Sequence, residues 1–148
     1  MEDNIETQSG AENIQLWDLL SRVTQHSRKR LERELEKYSI KPTEVKVLFS
    51  ISQMDGTQMN SLADANGITG PWITGIVDEL VSKGYVKKSR SENDRRLIRV
   101  SITDSGRRIL KKGLIEFNRL LEDALSGLNE DQISNFKEIL EIIDRTIN

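Results

Sequence analysis

Apolar residues recur every three or four positions over most of this chain. Between residues 13 and 38, Leu16, Leu20, Val23, Leu31 and Leu35 share one face. Ser27 lies between them, and Arg28, Lys29, Arg30, Glu32, Arg33 and Glu34 crowd the opposite face. That spacing predicts one helix of roughly 35 Å or more, longer than a compact core needs. A second helix is predicted over 42–54, with Val45, Leu48, Phe49 and Ser52 inward and Asp55-Gly56 as its stop. A short third helix covers about 58–65. A fourth covers about 69–83 and ends at Gly84, a helix-stop glycine. Both prolines, Pro42 and Pro71, fit a first helical turn.

At Tyr85 the period changes to two. Val86, Lys88 and Arg90 alternate with Tyr85, Lys87 and Ser89. After a polar turn holding Ser91, Glu92, Asn93 and Asp94, Ile98, Val100 and Ile102 alternate with Arg99, Ser101 and Thr103. This is a two-stranded hairpin. Thr103 then caps a fifth helix to about residue 126, whose apolar positions are Ile109, Leu110, Leu114, Phe117, Leu121 and Leu125. Gly113 weakens its middle by about 1 kcal/mol relative to alanine. Asn129 with Gln132 resembles a capping box opening a sixth helix that carries Ile133, Phe136, Leu140, Ile143 and Ile147. Residues 1–12, with Glu2, Asp3, Glu6 and Glu12, read as a loose arm.

Residues 59–78 have the layout of a helix-turn-helix. Ala63 is the small residue where two helices touch, and Gly67 tolerates positive φ in the turn. Leu62, Ile68, Ile73 and Ile76 seat the second helix. An ordinary helical hairpin would show much the same pattern, but the hairpin that follows makes the unit a winged helix. Its second helix would enter the major groove of DNA, and its hairpin tip would reach along the backbone or into the minor groove. Thr69, Gly70, Trp72 and Thr74 are the groove-facing candidates, with Trp72 equally readable as packing under the turn. Gly75 supplies no side chain where a reader would sit.

Charge changes the picture. The 148 residues hold 22 Lys and Arg against 24 Asp and Glu, a net of −2 that argues against a nucleic-acid partner. Yet residues 83–112 hold eleven basic and three acidic side chains, net +8, leaving −10 on the rest. Contact with phosphates needs local positive potential rather than a positive total. Zero cysteines exclude disulfides and thiol chemistry, and His26, the one histidine, leaves no multi-histidine metal site. No phosphate loop, metal box or nucleophile elbow marks an enzyme, and no cofactor is expected. No stretch approaches the roughly 20 apolar residues of a membrane span, and residues 1–10 lack a signal-peptide core. A cytoplasmic location is therefore expected.

The run Asp94-Arg95-Arg96 with Ser101-Ile102-Thr103-Asp104-Ser105-Gly106 resembles the wing and strand-to-helix junction of MarR-family transcriptional regulators. So does Ile76-Val77-Asp78-Glu79-Leu80 leading to Lys83-Gly84-Tyr85-Val86. The layout matches over about residues 13–148. The resemblance implies a mainly α fold: a winged helix-turn-helix over 42–103, with a two-stranded β-hairpin wing, flanked by dimerisation helices at 13–40 and 104–148. It implies a wing in which Asp94 holds Arg96 and Arg96 enters the minor groove; Arg95 and Arg99 are read as meeting phosphates or solvent, and Arg90 completes the DNA-binding wing. A narrow minor groove concentrates negative potential and attracts guanidinium.

The apolar stripes of the outer helices exceed what one small core needs, and family members are two-fold dimers. The interface is expected at Leu16, Leu20, Phe136, Leu140, Ile143 and Ile147. The resemblance further implies a small aromatic or phenolic anion as ligand, with Arg22, Gln25, His26, Arg30 and Phe117 as its pocket. The resulting expectation is a homodimeric repressor of double-stranded DNA on a pseudo-palindromic operator. The alternatives are an architectural DNA-binding protein without sequence preference and a winged helix used for protein contact.

Overall fold

The computed structural model describes residues 2–54, 56–90 and 98–147, with side chains from Gly10 onward. The elements follow in the order α1 (Glu2–Glu36), α2 (Pro42–Gln53), β1 (Thr57–Gln58), α3 (Met59–Asn66), α4 (Gly70–Ser82), β2 (Val86–Arg90), β3 (Ile98–Ile102), α5 (Asp104–Leu125) and α6 (Glu130–Ile147). The expected mainly α winged helix-turn-helix is the observed architecture.

The core collects one face of each inner element. Leu31 and Leu35 of α1 pack with Val45, Leu48 and Ile51 of α2, Leu62 of α3, and Ile73, Val77 and Leu80 of α4. Val86, Val100 and Ile102 close it from the sheet, and Ile109, Leu110 and Leu120 from α5. Strand order is β1-β3-β2, all antiparallel. The hairpin register pairs Val86 with Ile102 and Arg90 with Ile98.

Local chemistry sets the boundaries. Gly67 caps α3 at φ 62°, and its N–H meets the Ala63 and Asp64 carbonyls. Gly84, at φ 73°, ends α4 with a Schellman pair: Gly84 N–H donates to Val81 and Tyr85 N–H to Leu80, both at 2.9 Å. The Thr103 hydroxyl accepts from Gly106 N–H at 3.0 Å and donates to the Gly84 and Tyr85 carbonyls. It thus caps α5 while fastening it to the start of β2. Asn129 and Gln132 exchange side-chain to backbone hydrogen bonds at 2.9 and 3.0 Å, completing the expected capping box.

Three expectations change. The loose arm over 1–12 is helical from Glu2. Acidic residues suit a helix N-terminus, and extending an existing helix adds a hydrogen bond per residue without a new nucleus. Phe49 does not point into the core but lies exposed on α2 beside Leu114 and Phe117; Glu44, Val47 and Ile51 are buried instead. A third strand, β1, pairs Thr57 with Val100; at two residues it is too short to show a period. Gly113 also gains a reason: a Cβ there would lie 2.7 Å from both γ-carbons of Val45, so α5 and α2 touch through the glycine.

Candidate nucleic-acid interface

α3 and α4 form the helix-turn-helix, and α4 is its outward member. Ile73, Ile76, Val77 and Leu80 bury one side of α4. Thr69, Gly70, Trp72 and Thr74 are all exposed, so the four candidates share the outer part of the unit. Thr69 occupies the N-cap position with extended backbone, but its hydroxyl makes no capping hydrogen bond. The Thr74 hydroxyl donates to the Gly70 carbonyl at 2.9 Å. Trp72 is 51% exposed. Its inner edge borders Lys46, Asn66, Ile68 and Ile76, so it packs at the rim and still presents its ring outward.

No lysine or arginine lies on α4, and it carries two acids, Asp78 and Glu79. Each is matched by lysine outside the helical span, Glu79 in part by the C-cap residue of α4 itself. Lys88 of β2 pairs with Asp78. Glu79 meets Lys41 at 3.2 Å and Lys83 at 3.3 Å. Hydrogen bonds from Lys41 and then Lys83 hold the Glu79 carboxyl below the usual carboxylate range. Lys83 also reaches the buried Glu44 at 2.7 Å and the Ser39 carbonyl at 3.1 Å. Burial works against the charged Lys83, but hydrogen bonds and charge from Glu44, seconded by Glu79, outweigh it and raise its pKa. Glu44 in turn accepts from Lys41 N–H at 2.7 Å. The network fixes the start of α2 against the end of α4, and the Lys41-x-x-Glu44 spacing is its one sequence signal.

On the wing, Lys87, Arg90 and Arg99 are exposed. Arg99 also donates to the Gly56 carbonyl at 3.1 Å, clasping the turn before β1. Asp94, Arg95 and Arg96 lie outside the described residues.

The proposed ligand residues are not brought together within one chain. Arg22, Gln25 and His26 are exposed on the half of α1 that extends beyond the core. Gln25 borders a shallow groove with Trp17, Leu20 and Arg28. Arg30 is committed to an ion pair with Asp123 of α5. Phe117 lines a different cavity of about 340 Å³, with Val45, Phe49 and Leu114 as apolar walls and Lys46 and Asn66 as polar members. Among the described residues no group of three or more His, Asp or Glu is arranged to hold a metal.

The expected interface residues Leu16, Leu20, Phe136, Leu140, Ile143 and Ile147 are all exposed, joined by Trp17 and Ile139. α6 buries none of its residues. Among the described residues no helix is long and apolar enough to cross a membrane.

An outward second helix beside a two-stranded wing defines the winged helix-turn-helix class of protein. The MarR family model matches residues 40–98, which is the winged-helix part. The HTH-type transcriptional regulator YwaE of Bacillus subtilis is 28% identical over 122 residues, covering 82% of this chain and 71% of the relative. The structure of a mutant MarR from E. coli complexed with operator DNA superposes with TM-score 0.82 at 26% identity, covering 89% of this chain and 95% of that one. The transcriptional regulator BldR from Sulfolobus solfataricus gives TM-score 0.78 at 27% identity, over 90% and 96%. The chain is similar to winged-helix transcriptional regulators, and its winged-helix part to the MarR family.

Proposed function

We propose that this regulator is a cytoplasmic, homodimeric repressor that binds double-stranded DNA at a pseudo-palindromic operator. The observation that carries the reading is the pairing of an outward α4, its acids matched by Lys41, Lys83 and Lys88, with a wing whose exposed side chains include Lys87, Arg90 and Arg99. The mutant MarR of E. coli, with the same fold, is complexed with operator DNA. The unburied stripes of α1 and α6 support the dimer, because large exposed apolar patches mark interaction surfaces. Two copies would present α4 to half-sites about 34 Å apart. Arg96, held by Asp94, would read the minor groove, with Arg95 on phosphates.

The ligand reading is a small aromatic or phenolic anion. We place it in the cavity of Phe49, Leu114 and Phe117, where Lys46 supplies the cation, a pairing of apolar wall and single charge typical of such sites. Arg22, Gln25 and His26 would join only if the second protomer folds over this region.

The test is binding to the DNA upstream of the chain's own gene across salt concentrations, with a scrambled competitor. A repressor prefers its site by about a thousandfold or more. A salt slope without discrimination means an architectural protein. No binding at low salt would leave the winged helix as a protein-contact module.

A further inference from the structure

Gly75 stands in the interior of α4, where glycine weakens a helix relative to alanine. Among the described residues nothing calls for it: its φ is not among the positive ones, and a Cβ built on it would meet none of their atoms within 4 Å. Gly106 and Gly113 differ: a Cβ on the first would fall on the Tyr85 carbonyl, and on the second against Val45. Their reason is packing, and Gly75 has no such reason.

Its position supplies one. Pro71, Gly75 and Asp78, at i, i+4 and i+7, form the stripe opposite the buried Ile73, Ile76, Val77 and Leu80. The residue at the centre of the outward face is therefore the one without a side chain. Thr74 and Trp72 flank it. The Thr74 hydroxyl donates inward to Gly70, which leaves its γ-methyl uncommitted. α4 also lacks Arg, Lys, Asn and Gln, the residues that read guanine and adenine through paired hydrogen bonds.

We propose that Gly75 is the point of closest approach between α4 and the floor of the major groove, and that Trp72 and the Thr74 methyl flank it as an apolar surface reading the C5-methyl groups of thymine. This rests on the DNA-binding reading above. A side chain at 75 would stand between helix and bases, and close backbone approach is a use glycine serves. Half-sites should accordingly carry A·T pairs beneath α4, since only thymine offers a methyl there.

The experiment enriches duplexes from a random-sequence pool with the wild-type protein. It then compares wild type, Gly75→Ala and Thr74→Ser on the enriched duplex, on the same duplex with deoxyuridine for thymine, and on random duplex. Thermal melting is measured alongside. Gly75→Ala should melt no lower than wild type and bind the enriched duplex about tenfold or more weakly, with a smaller loss on random duplex at low salt. Deoxyuridine at a read position should cost wild type about fourfold, the worth of one buried methyl, and cost Thr74→Ser less. Wild-type affinity in Gly75→Ala, or indifference to deoxyuridine, would overturn the inference. Enrichment with wild-type affinity in Gly75→Ala overturns this inference alone; random-duplex binding without enrichment overturns the repressor reading as well, and no binding to any duplex overturns DNA binding altogether.

Discussion

Lys88 on β2 and Asp78 on α4 form an ion pair that ties the wing strand to the outward stripe of α4. Asp78 is the exposed partner, with 61% of its side chain accessible, so the pair adds little to stability. Its weight falls on the surface offered to phosphates. Asp78→Asn should leave the melting temperature nearly unchanged, release Lys88, and tighten binding to random duplex. The log–log salt slope should steepen by about one, the share of one added phosphate contact. Weaker binding at every salt concentration would instead mean that the pair sets the position of the wing.

Gly113→Ala tests the close contact between α5 and α2. Helix propensity alone favours alanine by about 1 kcal/mol, yet the new methyl would stand 2.7 Å from two carbons of Val45. Overpacking of this kind costs about 1–3 kcal/mol, so urea unfolding should show a net loss. Val45→Ala in the same chain removes the clash and should recover part of it. A stabilised Gly113→Ala would show that α5 can shift outward freely.

Glu116 is buried on α5, where Lys37 reaches it at 2.9 Å and the Tyr38 hydroxyl donates at 3.3 Å. The Lys37 hydrogen bond, opposed by burial and helped by the charges of Lys37 and Arg119, holds its pKa below the ordinary glutamate value. A carboxylate with a lowered folded pKa contributes stability above its unfolded pKa and loses it as pH falls through the folded one. The urea midpoint should therefore drop as pH falls below about 4.3. In Glu116→Gln it should start lower at neutral pH and fall less steeply in acid. The steepness left over is expected from Glu79, whose pKa is lowered by Lys41 and Lys83. An acid profile unchanged in Glu116→Gln would place the titration elsewhere.

Much of this was legible in the sequence because it rests on period and on turn residues. Gly67 and Gly84 announced their helix ends, and Thr103 and Asn129 their caps. The switch from period three-and-four to period two located the wing. What escaped was contact between elements distant in the chain. Nothing local says that Lys88 faces Asp78 or that Lys83 faces Glu44. Gly113 looked like a flaw because its reason, Val45, lies 68 positions earlier. The ligand set stays an expectation for a related reason: periodicity gives the face of α1 but not how far the helix projects past the core. Arg22, Gln25 and His26 therefore could not be placed relative to Phe117.

Arg96→Ala and Arg99→Ala should separate reading from holding. Arg99 donates to the Gly56 carbonyl at 3.1 Å, so its loss removes one side-chain hydrogen bond, worth about 1 kcal/mol of stability, and only modest affinity. Arg96, as the expected minor-groove reader, should cost about tenfold or more in specific affinity with no change in melting. Equal affinities for the two variants, measured on one duplex at one salt concentration, would refute the role given to Arg96.

The outer helices offer the last prediction. Phe136, Leu140, Ile143 and Ile147 fall at i, i+4, i+7 and i+11 on α6, and all are exposed in the single chain. Leu16, Leu20 and Val23 make a similar stripe on α1. An amphipathic helix stays helical mainly by burying its face, and α6 buries nothing within its own chain. A second copy covering both stripes resolves this. Leu140→Glu with Ile143→Glu would place like charges inside that contact. Light scattering at micromolar concentration should then report a monomer, against the dimer expected of wild type. Helical signal should fall by the share of α6, while the core built on Leu48, Leu62 and Val77 keeps its cooperative melt. Operator affinity should drop sharply, since two half-sites would no longer be engaged together. A double variant that remains dimeric would assign the contact to other surfaces.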